Sequence, residues 1–172
     1  MIEYSTLKQT GRFIIILGIQ ILILNQIHLG GYITPFFYPL FILLLPFQTK
    51  GYVVLLLAFF TGLAVDMFSN SLGMHAAATL FMAFFRPGII RLLSIKTEFE
   101  PEVEPRIHVM GKVWILTYTV MLIFIHHLSL FLIEVFRFYE LGEILAKTII
   151  SAGFSVIIIM LTHFLMGSAR KT

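Results

Sequence analysis

Six apolar stretches, separated by short polar segments, fill most of this chain of 172 residues. A helix needs about 20 mostly apolar residues to cross the hydrocarbon core of a bilayer. The apolar runs are continuous rather than alternating, which disfavours the strands of a membrane barrel. The predicted spans cover residues 13–29, 33–47, 52–68, 72–90, 113–133 and 144–166. The pattern predicts an all-α polytopic membrane protein, a bundle of six transmembrane helices.

Composition supports this class and excludes others. Hydrophobic residues make up 59% of the chain and charged residues 12%, whereas a soluble domain has about 25% charged residues. A chain of this length could not bury so much apolar surface in a soluble core. The 18 phenylalanines exclude disorder, and the lack of cysteine excludes disulfides and thiolate metal sites. A net charge of +3 is too small to indicate nucleic-acid binding.

The basic residues predict the orientation of the six spans. If both termini are cytoplasmic, ten of the twelve Lys and Arg residues fall in cytoplasmic segments, as the positive-inside rule requires. The ten are Lys8, Arg12, Lys50, Arg86, Arg91, Lys96, Arg106, Lys112, Arg170 and Lys171. We therefore expect a single integral membrane domain over residues 1–172, with both termini cytoplasmic and no aqueous domain.

Two of the spans have unusual features. The second is short and contains Pro35, Pro39 and Pro46, which predicts a kinked or tilted helix. The first follows Lys8 and Arg12 as a signal peptide would, but no small-x-small cleavage site follows it. We expect the first span to be an uncleaved anchor.

Asp66, the only aspartate in the chain, lies near the outer end of the third span. An acid within a membrane span is a functional candidate. Three interpretations stay open: a staple of a helix hairpin, a site for a ligand or partner, and a proton or metal site. Ala58, Gly62 and Asp66 share one helix face at four-residue spacing, which favours close helix packing.

The fourth span begins with a second set of small residues, so that the third and fourth spans should form a tight antiparallel hairpin. The small residues are Gly73, Ala76, Ala77 and Ala78. Ser71 is a candidate N-cap of the fourth helix. His75 lies in its first turn, where a hydrogen bond with Asp66 is sterically feasible.

The other polar residues of the spans indicate packing rather than chemistry. His126 and His127 lack the spacing of metal ligands, so we interpret them either as interfacial groups or as hydrogen-bonding groups between helices. In the sixth span, polar and small residues predict a packing stripe. These are Thr148, Ser151, Ala152 and Ser155.

The longest polar stretch is a cytoplasmic loop in which glutamates alternate with other residues. It contains Glu98, Glu100, Glu102 and Glu104, with Pro101 and Pro105 between and after them. The prolines predict an extended segment, which is either a solvated connector or a docking strip for a cytoplasmic partner. Before it, Arg86 and Arg91 flank Pro87 and Gly88, and we predict that anionic membrane lipid binds there.

Enzyme motifs are missing from the sequence. It contains no nucleophile elbow, no His-Glu-x-x-His and no phosphate-binding loop. Its spans contain one acidic residue, whereas membrane hydrolases and transferases bring several polar residues together. We therefore expect a protein that is not an enzyme and has no cofactor.

The residues from Gly62 to Ala76 carry a family resemblance. They read Gly-Leu-Ala-Val-Asp-Met-Phe-Ser-Asn-Ser-Leu-Gly-Met-His-Ala. This run resembles the signature of MreD, the rod shape-determining membrane protein family of bacteria, and the chain length and hydropathy profile are also similar. The resemblance assigns Gly62, Asp66, Gly73 and His75 to a structural or partner-binding hairpin.

The resemblance implies a non-enzymatic scaffold subunit of the bacterial cell-elongation machinery, which builds peptidoglycan and sets rod shape. The expected location is the cytoplasmic (inner) membrane. The expected partners are MreC, RodA and a penicillin-binding protein, with MreB as a further candidate through the cytoplasmic loop.

The MreD fold is similar to that of the S components of energy-coupling-factor transporters, which bind vitamins. The alternative function is therefore a substrate-binding subunit of such a transporter. It would need a cavity near the outer face, for which Asn25, His28, Asp66 and His127 are candidate lining residues.

Overall fold

The computed structural model describes residues 2–27, 34–94, 103–135 and 141–168, which form seven α-helices and one short 3-10 turn at Leu24–Gln26. The helices are α1 (Ile2–Leu22), α2 (Leu40–Leu43), α3 (Gly51–Ser69), α4 (Met74–Leu93), α5 (Ile107–Met110), α6 (Lys112–Val135) and α7 (Leu141–Ser168).

Among the described residues, five helical stretches are long and apolar enough to cross a membrane, which confirms the prediction of a helical chain compatible with a membrane. They are Leu7–Gln26, Gly51–Ser69, Met74–Leu93, Lys112–Val135 and Leu141–Met166. The last four match predicted spans to within three residues at each end. The first helix begins at Ile2 rather than at residue 13, because the polar residues before the apolar run continue the helix.

A sixth transmembrane helix over residues 33–47 is not confirmed. Of this span, the structure describes residues 34–47, where the only helix is the four-residue α2. Pro35, Pro39 and Pro46 explain the difference: proline lacks the N–H group that an α-helix needs, and it drives the preceding residue toward extended backbone. We call residues 34–47 the core segment, since residues 35–45 are all buried.

Contacts between the elements define the two ends of the bundle. The side chain of Asn25, after α1, donates to Ser69 at the end of α3 at 3.1 Å, so α1 and α3 run parallel. We call this end, with the turn Asn70–Gly73, the hairpin end. At the other end Lys8 contacts Glu104, and Lys112 at the start of α6 lies over the ring of Phe164 in α7. We call it the basic end.

The core segment runs from the hairpin end to the basic end through the middle of the bundle. Near its start, the N–H of Phe36 donates to Ser155 of α7 at 2.8 Å. Near its end, the N–H of Phe47 donates to the carbonyl of Val103 at 3.0 Å. Its side chains contribute much of the apolar core, with Tyr38, Leu40, Ile42, Leu43 and Leu44 almost completely buried. The long helices therefore pack around the core segment, which is buried and mostly not helical.

Candidate functional site

The carboxylate of Asp66 joins α3 to the start of α4. Its Oδ1 accepts the backbone N–H of His75 at 3.0 Å, and its Oδ2 accepts the N–H of Ala76 at 2.9 Å. The hydroxyl of Ser71 donates to Oδ1 at 2.5 Å. The first N–H groups of a helix have no partner within the helix and attract negative charge. Asp66 therefore caps α4 from the neighbouring helix.

Gly62 allows the two helices to approach closely enough for this cap. A Cβ atom built on Gly62 would lie 2.5 Å from the Cα of Ala76 and 2.5 Å from the carbonyl oxygen of His75. Both atoms belong to the backbone, and atoms this close overlap. The predicted small-residue face is thus occupied within the chain, by the packing of α3 against α4.

The turn between the helices depends on backbone conformations with positive φ. Asn70 ends α3 with φ of 50°, and Gly73 precedes α4 with φ of 83°. Glycine adopts this left-handed conformation without the steric penalty of a Cβ. The prediction that Ser71 is the N-cap is wrong: Gly73 occupies that position, and Ser71 contacts Asp66.

The predicted pair of Asp66 and His75 is made by the backbone N–H of His75 and not by its side chain. Its Nδ1 lies 3.1 Å from the hydroxyl of Tyr38, which lies 2.5 Å from Nε2 of His126. One phenolic O–H can donate to only one of the two rings, so the other ring must donate its own proton to the Tyr38 oxygen. Thr79, beside them, donates to the carbonyl of His75 at 2.6 Å.

The four residues of the predicted hairpin site are therefore brought together. Through the ring of His75 they connect to a buried row of hydrogen-bonded side chains, His75, Tyr38 and His126, which the sequence did not predict. Tyr38 and His126 are both fully buried. Nδ1 of His126 has no hydrogen-bond partner within the part of the chain that the structure describes. The one sequence feature that could have indicated this row is Tyr38, which lies between Pro35 and Pro39 in an apolar run.

Polar side chains of the surrounding helices hydrogen-bond the backbone of the core segment. Gln20 of α1 accepts from Phe37 at 2.6 Å, and Ser155 of α7 accepts from Phe36. Ser151 accepts from the N–H of Thr34 at 3.2 Å. The predicted packing stripe on α7 thus provides acceptors for an irregular backbone. Such backbone is tolerated at membrane depth only where the protein satisfies its polar groups.

Arg86 has the same role near the basic end. Its Nη2 donates to the carbonyl of Leu45, and its Nε donates to the hydroxyl of Tyr118 at 2.9 Å. Its exposed fraction is 2%, so the predicted lipid contact of Arg86 is wrong because the guanidinium points into the bundle. Arg91, one turn further along α4, is exposed.

The predicted Glu/Pro loop is described only from Val103 onward, and the residues 98–102 lie outside the described part. Glu104 is buried, with 8% of its side chain exposed. It forms ion pairs with Lys8 at 3.0 Å, Arg12 at 3.0 Å and Arg106 at 2.5 Å. Burial disfavours the ionised carboxylate, but hydrogen bonds from Arg12, Lys8 and Arg106 outweigh it and lower the pKa of Glu104 to about 2. This end of the loop is therefore anchored to α1 rather than solvated.

A cavity of about 510 Å³ lies at the hairpin end. Asn25, Asn70 and His75 line it together with the apolar side chains of Phe36 and Phe131. At its edge, Lys147 of α7 pairs with Glu134 of α6 at 3.0 Å.

The residues proposed for a ligand cavity are brought together only in part. Asn25 lines the cavity, whereas Asp66 and His127 are buried in the packing between helices. His28 lies outside the described residues. His127 contacts Ser155 at 3.1 Å, which fits its predicted role as a hydrogen-bonding group between helices.

Within the described ranges, no group of three or more His, Asp or Glu side chains is placed to hold a metal ion. No family model, no curated protein and no solved structure matches the chain.

Proposed function

We propose that this chain is a non-enzymatic membrane scaffold of the MreD type, a subunit of the machinery for cell elongation and peptidoglycan synthesis in the bacterial inner membrane. The proposal includes six membrane crossings, the second being the core segment, and both termini in the cytoplasm. MreC, RodA and a penicillin-binding protein are the proposed partners, with MreB at the cytoplasmic loop.

One observation carries the proposal. The residues on which the resemblance rests, Gly62, Asp66, Gly73 and His75, form one continuous joint between α3 and α4. Each contributes to the same structural task, since Gly62 permits close approach, Asp66 caps α4, and Gly73 adopts the required φ. The N–H of His75 is one of the two groups that Asp66 caps. A motif with this task needs neither a bound cofactor nor a reacting group.

A partner must then contact the outward surface of the bundle, because the small-residue face is buried inside it. The lipid-facing side of the hairpin carries a group of exposed aromatic side chains. These are Phe59 of α3 and Phe81, Phe84 and Phe85 of α4. Aromatic side chains bury large areas at helix interfaces, so this surface is the proposed contact for a partner's transmembrane helix.

The test is co-purification with tagged MreC from the cell that produces the chain. We expect MreC to co-purify with the wild-type chain and to be lost when Phe84 and Phe81 are replaced by alanine. Replacing the exposed Leu161 and Ile157 of α7 by alanine is the matched control, since it removes apolar area from a different face. Equal recovery of MreC with both double variants would place the contact elsewhere, and no MreC with wild type would refute the scaffold function.

The topology is tested separately with reporter fusions. Alkaline phosphatase and a fluorescent protein, each fused to both termini in turn, report the side of the membrane. Fluorescence without phosphatase activity at both ends is expected, and opposite locations of the two termini would contradict six crossings.

The cavity at the hairpin end favours a second candidate function, the binding of a small molecule as in vitamin-transporter S components. Its volume of about 510 Å³ lies within the range of small-molecule sites. A thermal-shift screen of the purified protein against vitamins tests it, because a ligand that binds the folded state raises the melting temperature. A stabilising compound should lose its effect when Asn25 is replaced by leucine, and no hit in the screen would remove this candidate.

A further inference from the structure

A groove on the side of the bundle separates α1 from α3 near the basic end. Its volume is about 470 Å³, and its walls include Phe13 of α1 and Val53, Leu57 and Phe60 of α3. Gln9 and Thr49 line the same groove and lie closest to the basic end. The groove is therefore polar at one end and apolar along the rest of its length.

The length of the groove fits one leaflet of a bilayer. Val53 and Phe60 are seven residues apart on α3, which corresponds to about 10 Å at 1.5 Å per residue. Half of the hydrocarbon core is about 15 Å thick. Toward the hairpin end α1 and α3 are joined, since the side chain of Asn25 donates to Ser69. A transmembrane helix of a partner would need a groove along the whole bundle, whereas an acyl chain needs one leaflet.

Positive charge borders the polar end of the groove. Arg12 donates to the Oε1 atom of Gln9 at 3.3 Å. Lys8 and Gln9 both donate to the same oxygen of Glu104, at 3.0 Å and 3.2 Å. Of the side chains that the structure describes in this cluster, Lys8, Arg12 and Arg106 are cationic and Glu104 is the one acid. An excess of positive charge beside the membrane surface attracts anionic headgroups.

We propose that this groove binds one anionic phospholipid from the leaflet at the basic end. Its acyl chain lies along Phe13, Leu57 and Phe60, and its phosphate is held by Lys8 and Gln9. Lys8 is accessible for this contact because 43% of its side chain is exposed. This site is distinct from the segment around Arg91, and it does not depend on the scaffold function.

The test compares phosphatidylglycerol with phosphatidylcholine on the purified full-length protein. Native mass spectrometry counts retained lipids, and melting in detergent measures stabilisation by each lipid. We expect one phosphatidylglycerol to be retained and to raise the melting temperature by several degrees more than phosphatidylcholine. Inorganic phosphate, which has no acyl chain, should give no shift.

Two variants address the two ends of the groove. Lys8→Gln should reduce the affinity for phosphatidylglycerol several-fold, while Arg12 and Arg106 still pair with Glu104. Lys112→Gln is the matched control, because Lys112 lies at the same end of the bundle but lines a different groove, between α6 and α7. Val53→Trp fills the apolar part and should abolish retention of both lipids while the protein without lipid stays folded.

Several outcomes would overturn the proposal. These are equal stabilisation by both lipids, equal loss of affinity in Lys8→Gln and Lys112→Gln, or lipid retention unchanged by Val53→Trp. If a polypeptide co-purifies with the wild-type protein and is lost in Val53→Trp, while the number of bound lipids stays constant, the groove binds a protein partner and not a lipid. A variant with glutamine at residues 98, 100 and 102 tests whether the chain's own loop supplies the anion. If phosphatidylglycerol is preferred only in that variant, the glutamates of the loop occupy the site in the wild-type protein, and the lipid site is refuted.

Discussion

Replacing Gly62 by alanine is the smallest change that tests the joint between α3 and α4. The added methyl group would lie 2.5 Å from two backbone atoms, the Cα of Ala76 and the carbonyl oxygen of His75. Rotation of a side chain cannot relieve these contacts. The helices must separate until the distance reaches ordinary van der Waals contact, which begins at 3.4 Å. The separation is therefore about 1 Å.

The same separation acts on the carboxylate of Asp66. Its bonds to the N–H groups of His75 and Ala76 are 3.0 Å and 2.9 Å long, and a further ~1 Å takes both beyond hydrogen-bond distance. Overpacking costs about 1–3 kcal/mol, and weakened hydrogen bonds to a buried charged group cost about 1.5–3 kcal/mol. The better helix propensity of alanine returns about 1 kcal/mol. We expect Gly62→Ala to lower the free energy of unfolding by roughly 3 kcal/mol.

Titration from a mild detergent into dodecyl sulfate, followed by circular dichroism, measures this free energy. Gly18→Ala in α1 is the matched control, because a Cβ atom at Gly18 would meet nothing within 4 Å. That variant should be neutral or slightly stabilised. If the two variants unfold with free energies within about 0.5 kcal/mol of each other, α3 and α4 do not approach each other closely at Gly62.

Three further predictions concern single polar groups. Asp66→Asn places an NH₂ group against one of the two N–H donors and should cost about 2–3 kcal/mol in the same titration, and an unchanged midpoint would contradict the cap. Ser155→Ala leaves the buried N–H of Phe36 without its acceptor and should cost about 1–3 kcal/mol. Ser129→Ala is its control, because that hydroxyl only bonds a carbonyl of its own helix, and equal effects would argue against the acceptor role. Since the pKa of Glu104 is lowered from 4.5 to about 2, its ionisation contributes roughly 3 kcal/mol above pH 4.5, which is lost as the pH falls toward 2. Glu104→Gln should remove that part of the acid dependence, and a pH profile identical to wild type would refute it.

The sequence predicts the long helices and the hairpin well, because each depends on local patterns. Continuous apolar runs determine α3, α4, α6 and α7, and the spacing of Gly62 and Asp66 on one helix face predicts their joint. The atoms that complete the joint could not be predicted. Asp66 binds backbone groups of His75 rather than its ring, and which atoms meet depends on an approach of two helices that spacing alone does not define.

The position of the core segment inside the bundle could not be predicted from the sequence either. Its prolines predict a kinked or tilted second span, but they do not say whether this segment lies in lipid, at the surface or inside the bundle. The decisive contacts come from distant residues, among them Gln20, Ser155 and Arg86. Each of these, considered alone in its own helix, is equally consistent with packing, a lipid contact or a ligand site.

Several polar residues of the long helices share one physical explanation, which is that they bind the backbone of the core segment. A backbone that is not helical exposes N–H and C=O groups, and inside a membrane only the protein can bind them. In the half of the core segment near the hairpin end, Gln20 and Ser155 accept hydrogen bonds from backbone N–H groups. In the half near the basic end, Arg86 and Tyr118 donate to backbone carbonyls. Intramembrane polar groups that this requirement accounts for give no support to a transport pathway or a catalytic centre. A search for ligands should therefore concentrate on polar groups that face a cavity or the membrane surface, such as Asn25 at the hairpin end and Lys8 at the basic end.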